Sequence, residues 1–321
     1  MANVDAVDDA DTQTIGKIVD SYLQAYAGRC RASANGLGFN TTEQNVLLGL
    51  LRCRHSHAGL PAAMLSSALD TVKAATEQVL ATRGEHSMPV DMTGFLWTEA
   101  YGVLPIPRPP VEQLEWVFES GSGSGKVRGV FGSAWRALFL AAAIPSLSWR
   151  HRPQAQVELA RRMSYLATKL EGVVDQEGQP ALSISLLSRL TYVVGELLRF
   201  VADEELRLRA RGAVEAMASG QHGDGSLREG VSDDPVPTAT ASQFLLAATI
   251  LGVQEPAGKV MEHLMRDRLD PQALLMRHDQ KRFELSPWVA LALVPYAAVT
   301  APPPAEPRRV RGVFGGLRRG R

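Results

Sequence analysis

Glu204-Glu-Leu-Arg-Leu-Arg-Ala-Arg-Gly-Ala-Val-Glu-Ala-Met-Ala-Ser-Gly-Gln221 runs into His222-Gly-Asp-Gly-Ser226. A loop to Pro237 then leads to Thr238-Ala-Thr-Ala-Ser-Gln-Phe-Leu-Leu-Ala-Ala-Thr-Ile-Leu-Gly-Val253. The first segment carries six charged residues and the last carries none. Apolar residues recur at helical spacing in both, without the alternation of a strand. A helix with a polar face borders solvent, whereas one apolar on every side is buried all round. The stretch therefore reads as a hairpin of a charged outer helix, a Gly-rich turn and an apolar inner helix.

The same unit recurs along the chain. Charged Val157 to Val174 leads through Asp175–Pro180 to apolar Ala181–Val201, and charged Pro256–Leu269 leads through a loop to apolar Pro287–Val299. Upstream, charged Asp11–Ala32 precedes apolar Thr41–Leu51. Charged Pro61–Arg83 precedes Met92–Leu104, and charged Pro109–Ser120 precedes Ser133–Ile144. First-helix starts fall near residues 11, 61, 109, 154, 204 and 256, a period within the range of helical-pair arrays. Six pairs can close into two concentric rings. The expected fold is all-α, an (α/α)6 barrel or toroid over residues 11–300, after a disordered N-terminus (1–10) and before a flexible C-terminal tail (301–321).

The 321 residues are 45% hydrophobic, enough for a sizeable core. Thirty-four Lys and Arg balance thirty-four Asp and Glu, which excludes a globally basic nucleic-acid binder, so no specific nucleic-acid partner is expected. Two cysteines, Cys30 and Cys53, are too few for a disulfide scaffold. No secretory signal and no apolar membrane span is visible, and a cytoplasmic location is the default expectation.

Ala213–Leu227 together with Thr238–Thr249 resembles a repeat of the α/α toroid of terpenoid cyclases and protein prenyltransferase β-subunits. In those families an outer helix ends in Gln, an Asp-Gly-Ser-Trp-like turn follows, and an inner helix rich in Thr and Ala comes next. Gln221, Asp224, Gly225 and Ser226 match, and Leu227 stands at the aromatic position. The resemblance implies a terpenoid-cyclase-like toroid acting on an apolar, isoprenoid-type small molecule in a central cavity. Asp233 or Asp234 would then be the catalytic acid. The Asp-x-Asp-Asp motif of class II cyclases is not intact, because Val231 stands where the first Asp belongs. No Asp-Asp-x-x-Asp is present, and both cysteines precede residue 54, so the prenyltransferase zinc set is missing. No cofactor and no metal are expected.

Charges on apolar inner helices are the other pointers, since a buried charge is costly unless paired or facing a wet cavity. Trp97, Glu99 and Tyr101 on Met92–Leu104, and Arg136 on Ser133–Ile144, are candidate substrate contacts. Arg189, Glu196 and Arg199 on the next inner helix either line the same cavity or pair with one another. Asp224 reads as a turn residue whose carboxylate bonds backbone N–H groups. Cys53-Arg-His55-Ser-His57 has ligand types at a spacing that does not converge on one metal. Ser120–Lys126 lacks the P-loop spacing and reads as a connector.

After Thr300 comes a Pro-rich spacer, then Arg308-Arg-Val-Arg-Gly-Val-Phe-Gly-Gly-Leu-Arg-Arg-Gly-Arg321. Val310–Gly315 repeats Val127-Arg-Gly-Val-Phe-Gly132, which is read as part of a connector. The second functional reading is a non-catalytic toroid that serves as an interaction module, its basic tail (Arg308–Arg321) docking a protein partner or an anionic surface.

Overall fold

A computed structural model describes residues 129–174, 180–229, 235–270 and 275–276, with Lys17, Phe95, Thr98 and Ala292. The expected disordered N-terminus, the Pro-rich spacer and the Arg-rich tail lie outside these residues. Six helices fill the described region: α1 (Gly129–Ala143), α2 (Arg152–Glu171), α3 (Ile184–Leu197), α4 (Glu204–Ser219), α5 (Thr238–Ile250) and α6 (Gln254–His263). A π-helical turn, Leu264–Arg268, extends α6. The strand content described is one two-residue antiparallel ladder, β1 (Leu269–Asp270) with β2 (Leu275–Met276).

The chain folds as an α/α toroid, and burial follows the charge pattern. Helix α1 is buried from Ser133 to Ala143, and α5 from Thr240 to Thr249. Outer helices α2, α4 and α6 bury one stripe each, such as Leu206, Ala210, Ala213, Val214 and Met217 of α4. Inner helix α1 begins at Gly129, four residues before the expected start. Gly129–Gly132 are the first turn of α1 and not connector; Gly129, at the very start, takes φ +49°, a left-handed entry that glycine adopts freely.

Local signals set the helix starts. Ser183 Oγ accepts the Leu186 N–H at 3.3 Å and Asp203 Oδ1 accepts that of Leu206 at 2.9 Å. Each thereby caps a free donor of the first turn. Glu204 and Glu205 add negative charge at the positive end of α4.

The inner helices run parallel. Ser185 and Thr240 hydroxyls meet at 3.2 Å near the starts of α3 and α5. Near their ends, the hydrogen that Gly195 carries instead of a Cβ lets α3 close on Ile250. Phe131 and Trp135 of α1 face Arg189 and Tyr192 of α3 in the same order. Outer helices clasp the ring: Arg162 Nη1 reaches Ser133 Oγ at 3.4 Å, and Ser188 Oγ donates to Met217 Sδ. Glu158 takes hydrogen bonds from Arg161 and Arg162 at 2.7–2.9 Å. Burial pushes the Glu158 carboxyl pKa up, but the two guanidiniums outweigh it and the net shift is downward.

The Gln221–Ser226 motif works as a wedge between α4 and α6. Gln221 Nε2 donates to the Gly225 carbonyl at 2.9 Å and the Pro256 carbonyl at 3.3 Å. Arg266 Nη2 holds the Asp224 carbonyl at 2.7 Å. Asp224 Oδ1 accepts the Ser226 hydroxyl at 2.6 Å and the Ser226 N–H at 2.9 Å. These two bonds hold its pKa down from 3.8 to about 2. The stability that Asp224 contributes is thus complete above pH 3.8 and is lost as the pH falls toward 2, because only the unfolded chain gains the proton early. Urea midpoints measured from pH 5 to 2 should drop more steeply for the wild type than for Asp224→Asn. Equal slopes would show that the turn does not depend on this charge.

Candidate functional site

The two ends of the described ring differ. Connections from inner to outer helix are tight, as in the 3-10 turn Ile144–Ser146 and in Leu251–Val253. Each described connection from outer to inner helix instead folds back on itself. Val174 bridges Pro180, Arg228 bridges Pro235, and β1 pairs with β2. Three hairpin stems therefore stand at the end where the inner helices begin, and such longer loops on a rigid scaffold are where binding groups concentrate.

Exposure points to the same end. On α1 the exposed or half-buried residues are Gly129 to Gly132, and on α3 they are Ser185, Leu186 and Arg189. Deeper along both helices every residue is buried. The accessible part of the described inner helices is thus their N-terminal rim, the mouth, and below it side chains such as Trp135, Phe139, Tyr192 and Phe244 are buried.

A chain of polar groups crosses this mouth. Ser185 Oγ, in the first turn of α3, donates to Glu229 Oε2 at 3.0 Å, and the Thr240 hydroxyl of α5 lies 3.2 Å from the same Ser185 oxygen. Since Ser185 has one proton to give and gives it to Glu229, Thr240 donates to Ser185. One turn further along α3, the Arg189 guanidinium sits 5.3 Å from the Phe131 ring centroid, a cation–π contact from α3 to α1. Burial lowers the Arg189 pKa, which marks a cation partly removed from water. Leu186, 46% exposed, adds apolar surface beside these groups.

The candidates from sequence distribute as follows. Asp233 and Asp234 lie outside the described residues; Arg228 and Pro235, on either side of them in sequence, pair in a bridge. Trp97, Glu99 and Tyr101 also lie outside, as do Cys53, His55 and His57. Arg136 is 3% exposed in α1 and has an interaction partner within the fold. Glu196 is fully buried and pairs with Arg199 at 2.9 Å, within its own helix. Asp224 is a turn residue, as expected.

Glu229, Ser185, Thr240 and Phe131 were not legible as a group. Ser185 and Glu229 are 44 residues apart and meet through the ring. The one available signal was Glu229 sharing a loop with Asp233 and Asp234. Among the described residues, no three His, Cys, Asp or Glu side chains could hold a metal ion, and no helix is long and apolar enough to cross a membrane.

No protein-family model matches the chain, and no curated protein matches it. Solved structures do. A structure described as a polysaccharide lyase superposes with a TM-score of 0.65 at 10% identity, covering 89% of this chain and 97% of its own. A D-mannose isomerase gives 0.65 at 9% identity, covering 93% and 99%. An inactive variant of an α-1,6-mannanase of Salegentibacter sp. HEL1_6, in complex with α-1,6-mannotriose, gives 0.59 at 10% identity, covering 88% and 98%. At such identities the likeness is one of fold, and that fold is the six-hairpin α/α toroid. It corrects the functional expectation. These toroids are described as acting on sugars and not as terpenoid cyclases, so the isoprenoid reading of the Asp-Gly-Ser turn is set aside. The physical reason is that the contacts of Gln221, Asp224, Gly225 and Ser226 fasten one hairpin to the next, a structural role that any toroid of stacked hairpins can use.

Proposed function

We propose that the protein is a carbohydrate-active enzyme that binds a sugar at the mouth of its toroid and moves a proton through Glu229. The observation that carries this is the Thr240–Ser185–Glu229 chain, set where the inner helices become accessible. Two hydroxyls in line fix one carboxylate oxygen, and the proposal gives the other carboxylate oxygen to the ligand. Sugar chemistry by proton transfer commonly uses a pair of carboxylates, and Asp233 or Asp234 in the Glu229 loop supplies the second. Trp97, Glu99 and Tyr101 are proposed to stand further along the substrate path; Arg136, 3% exposed and partnered within the fold, is not placed there. The likeness to toroids described as a lyase, a mannanase and a sugar isomerase supports the substrate class and leaves the reaction type to experiment.

The test is a panel of neutral and acidic oligosaccharides incubated with the purified protein, with products read by mass spectrometry. Glu229→Gln is expected to lower turnover by about 100-fold or more, the scale of a lost general acid or base. Ser185→Ala, which leaves the carboxylate in place but unheld, is expected to cost less. A wild-type protein that neither binds nor converts any sugar in the panel would overturn the proposal. So would undiminished turnover by Glu229→Gln.

A further inference from the structure

We propose that the arginine-rich segment Arg308–Arg321 docks as an amphipathic helix into the groove between outer helices α2 and α4 of its own toroid. The groove encloses about 350 Å³. Leu159, Met163 and Ala167 of α2 form its apolar floor, exposed Ala160 its open side, and Asp203 and Glu205 its α4 wall. Arg209, which lines it, is already shared between Glu171 at 2.6 Å and Glu205 at 2.7 Å. With Asp203 added, three carboxylates face one guanidinium, so the groove is electronegative.

The surroundings are apolar and uncovered. Val157 is 70% exposed and Leu208 60% exposed, each in the second turn of its helix, α2 and α4 respectively. Trp149 and Phe200, exposed as well, sit in the tight turns that precede those helices. These four are most of the large apolar side chains exposed among the described residues, all on α2, on α4 or in the turns that lead into them, and exposed apolar surface of this kind can serve an interaction.

The tail has the complementary pattern. Val310, Val313, Phe314 and Leu317 fall at i, i+3, i+4 and i+7, the spacing with which a helix fills a groove. Six arginines occupy other positions of the segment. The hexapeptide Val310–Gly315 is identical to Val127–Gly132, whose last four residues are helical at the start of α1. Gly312, Gly315 and Gly316 disfavour a free helix, so the segment gains its helical form from the groove.

The geometry of the repeat also permits it. Helices α1, α3 and α5 run from the mouth to the tight-turn end. The proposal has the last apolar segment of the repeat follow the same alternation, which would start the spacer at the end of the ring where α2 and α4 begin. Residues 300–307, four of them proline, reach about 25 Å at about 3.1 Å per residue, enough to pass two helix spacings of about 10 Å.

Hydrogen exchange on the full-length protein tests this. In the wild type, amides of residues 313–319 are expected to exchange at least tenfold more slowly than an unstructured chain. That protection should vanish in Phe314→Ser/Leu317→Ser. It should vanish equally in Ala160→Trp, which fills the groove from an exposed position and leaves the toroid's thermal unfolding unchanged. Unprotected tail amides in the wild type would overturn the proposal, as would protection that survives Ala160→Trp. Protection that grows with protein concentration would place a second copy's tail in the groove and overturn docking within the chain.

Discussion

Gly225→Ala should be among the most damaging single-methyl additions in the described part of the chain. Gly225 adopts φ +83°, a left-handed conformation that costs a residue with a Cβ about 1–2 kcal/mol. The added Cβ would also fall inside the van der Waals envelope of the Lys259 carbonyl oxygen, with His263 Cβ 3.3 Å away. Backbone on α6 cannot swing aside as a flexible side chain does, so overpacking adds roughly 1–3 kcal/mol more. The sum, about 2–5 kcal/mol, corresponds to a fall in Tm of roughly 3–7 °C for a chain of this size. Gly223→Ala is the control. It lies two residues earlier in the same turn, with nothing within 4 Å of its added Cβ, and is expected to be near neutral. If both variants melt alike in a calorimeter, the wedge does not hold α4 to α6.

This wedge shows how far the sequence speaks. Gln221, Asp224, Gly225 and Ser226 are within six residues of one another, so their turn is visible as a motif, and the charge-free run Thr238–Val253 marks an inner helix without any partner being known. Both are local facts. What they grip is not local: Gly225 meets Lys259, Arg266 reaches back to Asp224, and Ser185 finds Glu229 across a helix, a turn and another helix. The hairpin stems at the mouth escaped for a related reason. Val174 with Pro180 and Arg228 with Pro235 are single bridges, too short to impose the alternation by which strands are read. The polar inner-helix residues were visible as anomalies, and Glu196 with Arg199 resolves as a pair. The functional expectation fails for one reason: the Gln221–Ser226 turn fastens hairpin to hairpin, and such a joint carries no information about what the ring acts on.

Trp135→Ala tests whether the ring is held as a unit. Trp135 is 1% exposed in α1 and touches aromatic rings on both sides. Phe95 lies 6.3 Å from it, tilted at 53°, and Tyr192 of α3 lies 6.3 Å away, edge-on at 72°. Phe95 in turn meets Phe200, beyond the end of α3, at 6.1 Å and 89°. Phe95, Trp135 and Tyr192 therefore join three successive inner segments through one buried cluster, with Phe200 at its exposed edge. Truncating the central ring should cost about 3–5 kcal/mol, the range for a buried aromatic replaced by alanine. Part of that loss is coupling. A double-mutant cycle with Tyr192→Leu is expected to return about 0.5–1.5 kcal/mol of interaction. The form of the transition matters as much as its midpoint. In an open array each repeat leans only on its neighbours, and a weakened interface lets one part melt before the rest. In a closed ring every hairpin has two neighbours, so the loss is shared. Trp135→Ala and Gly225→Ala, at different stations of the ring, should each lower one cooperative transition. Two separated transitions in either variant would mean that the hairpins are coupled along the chain but not around the circle.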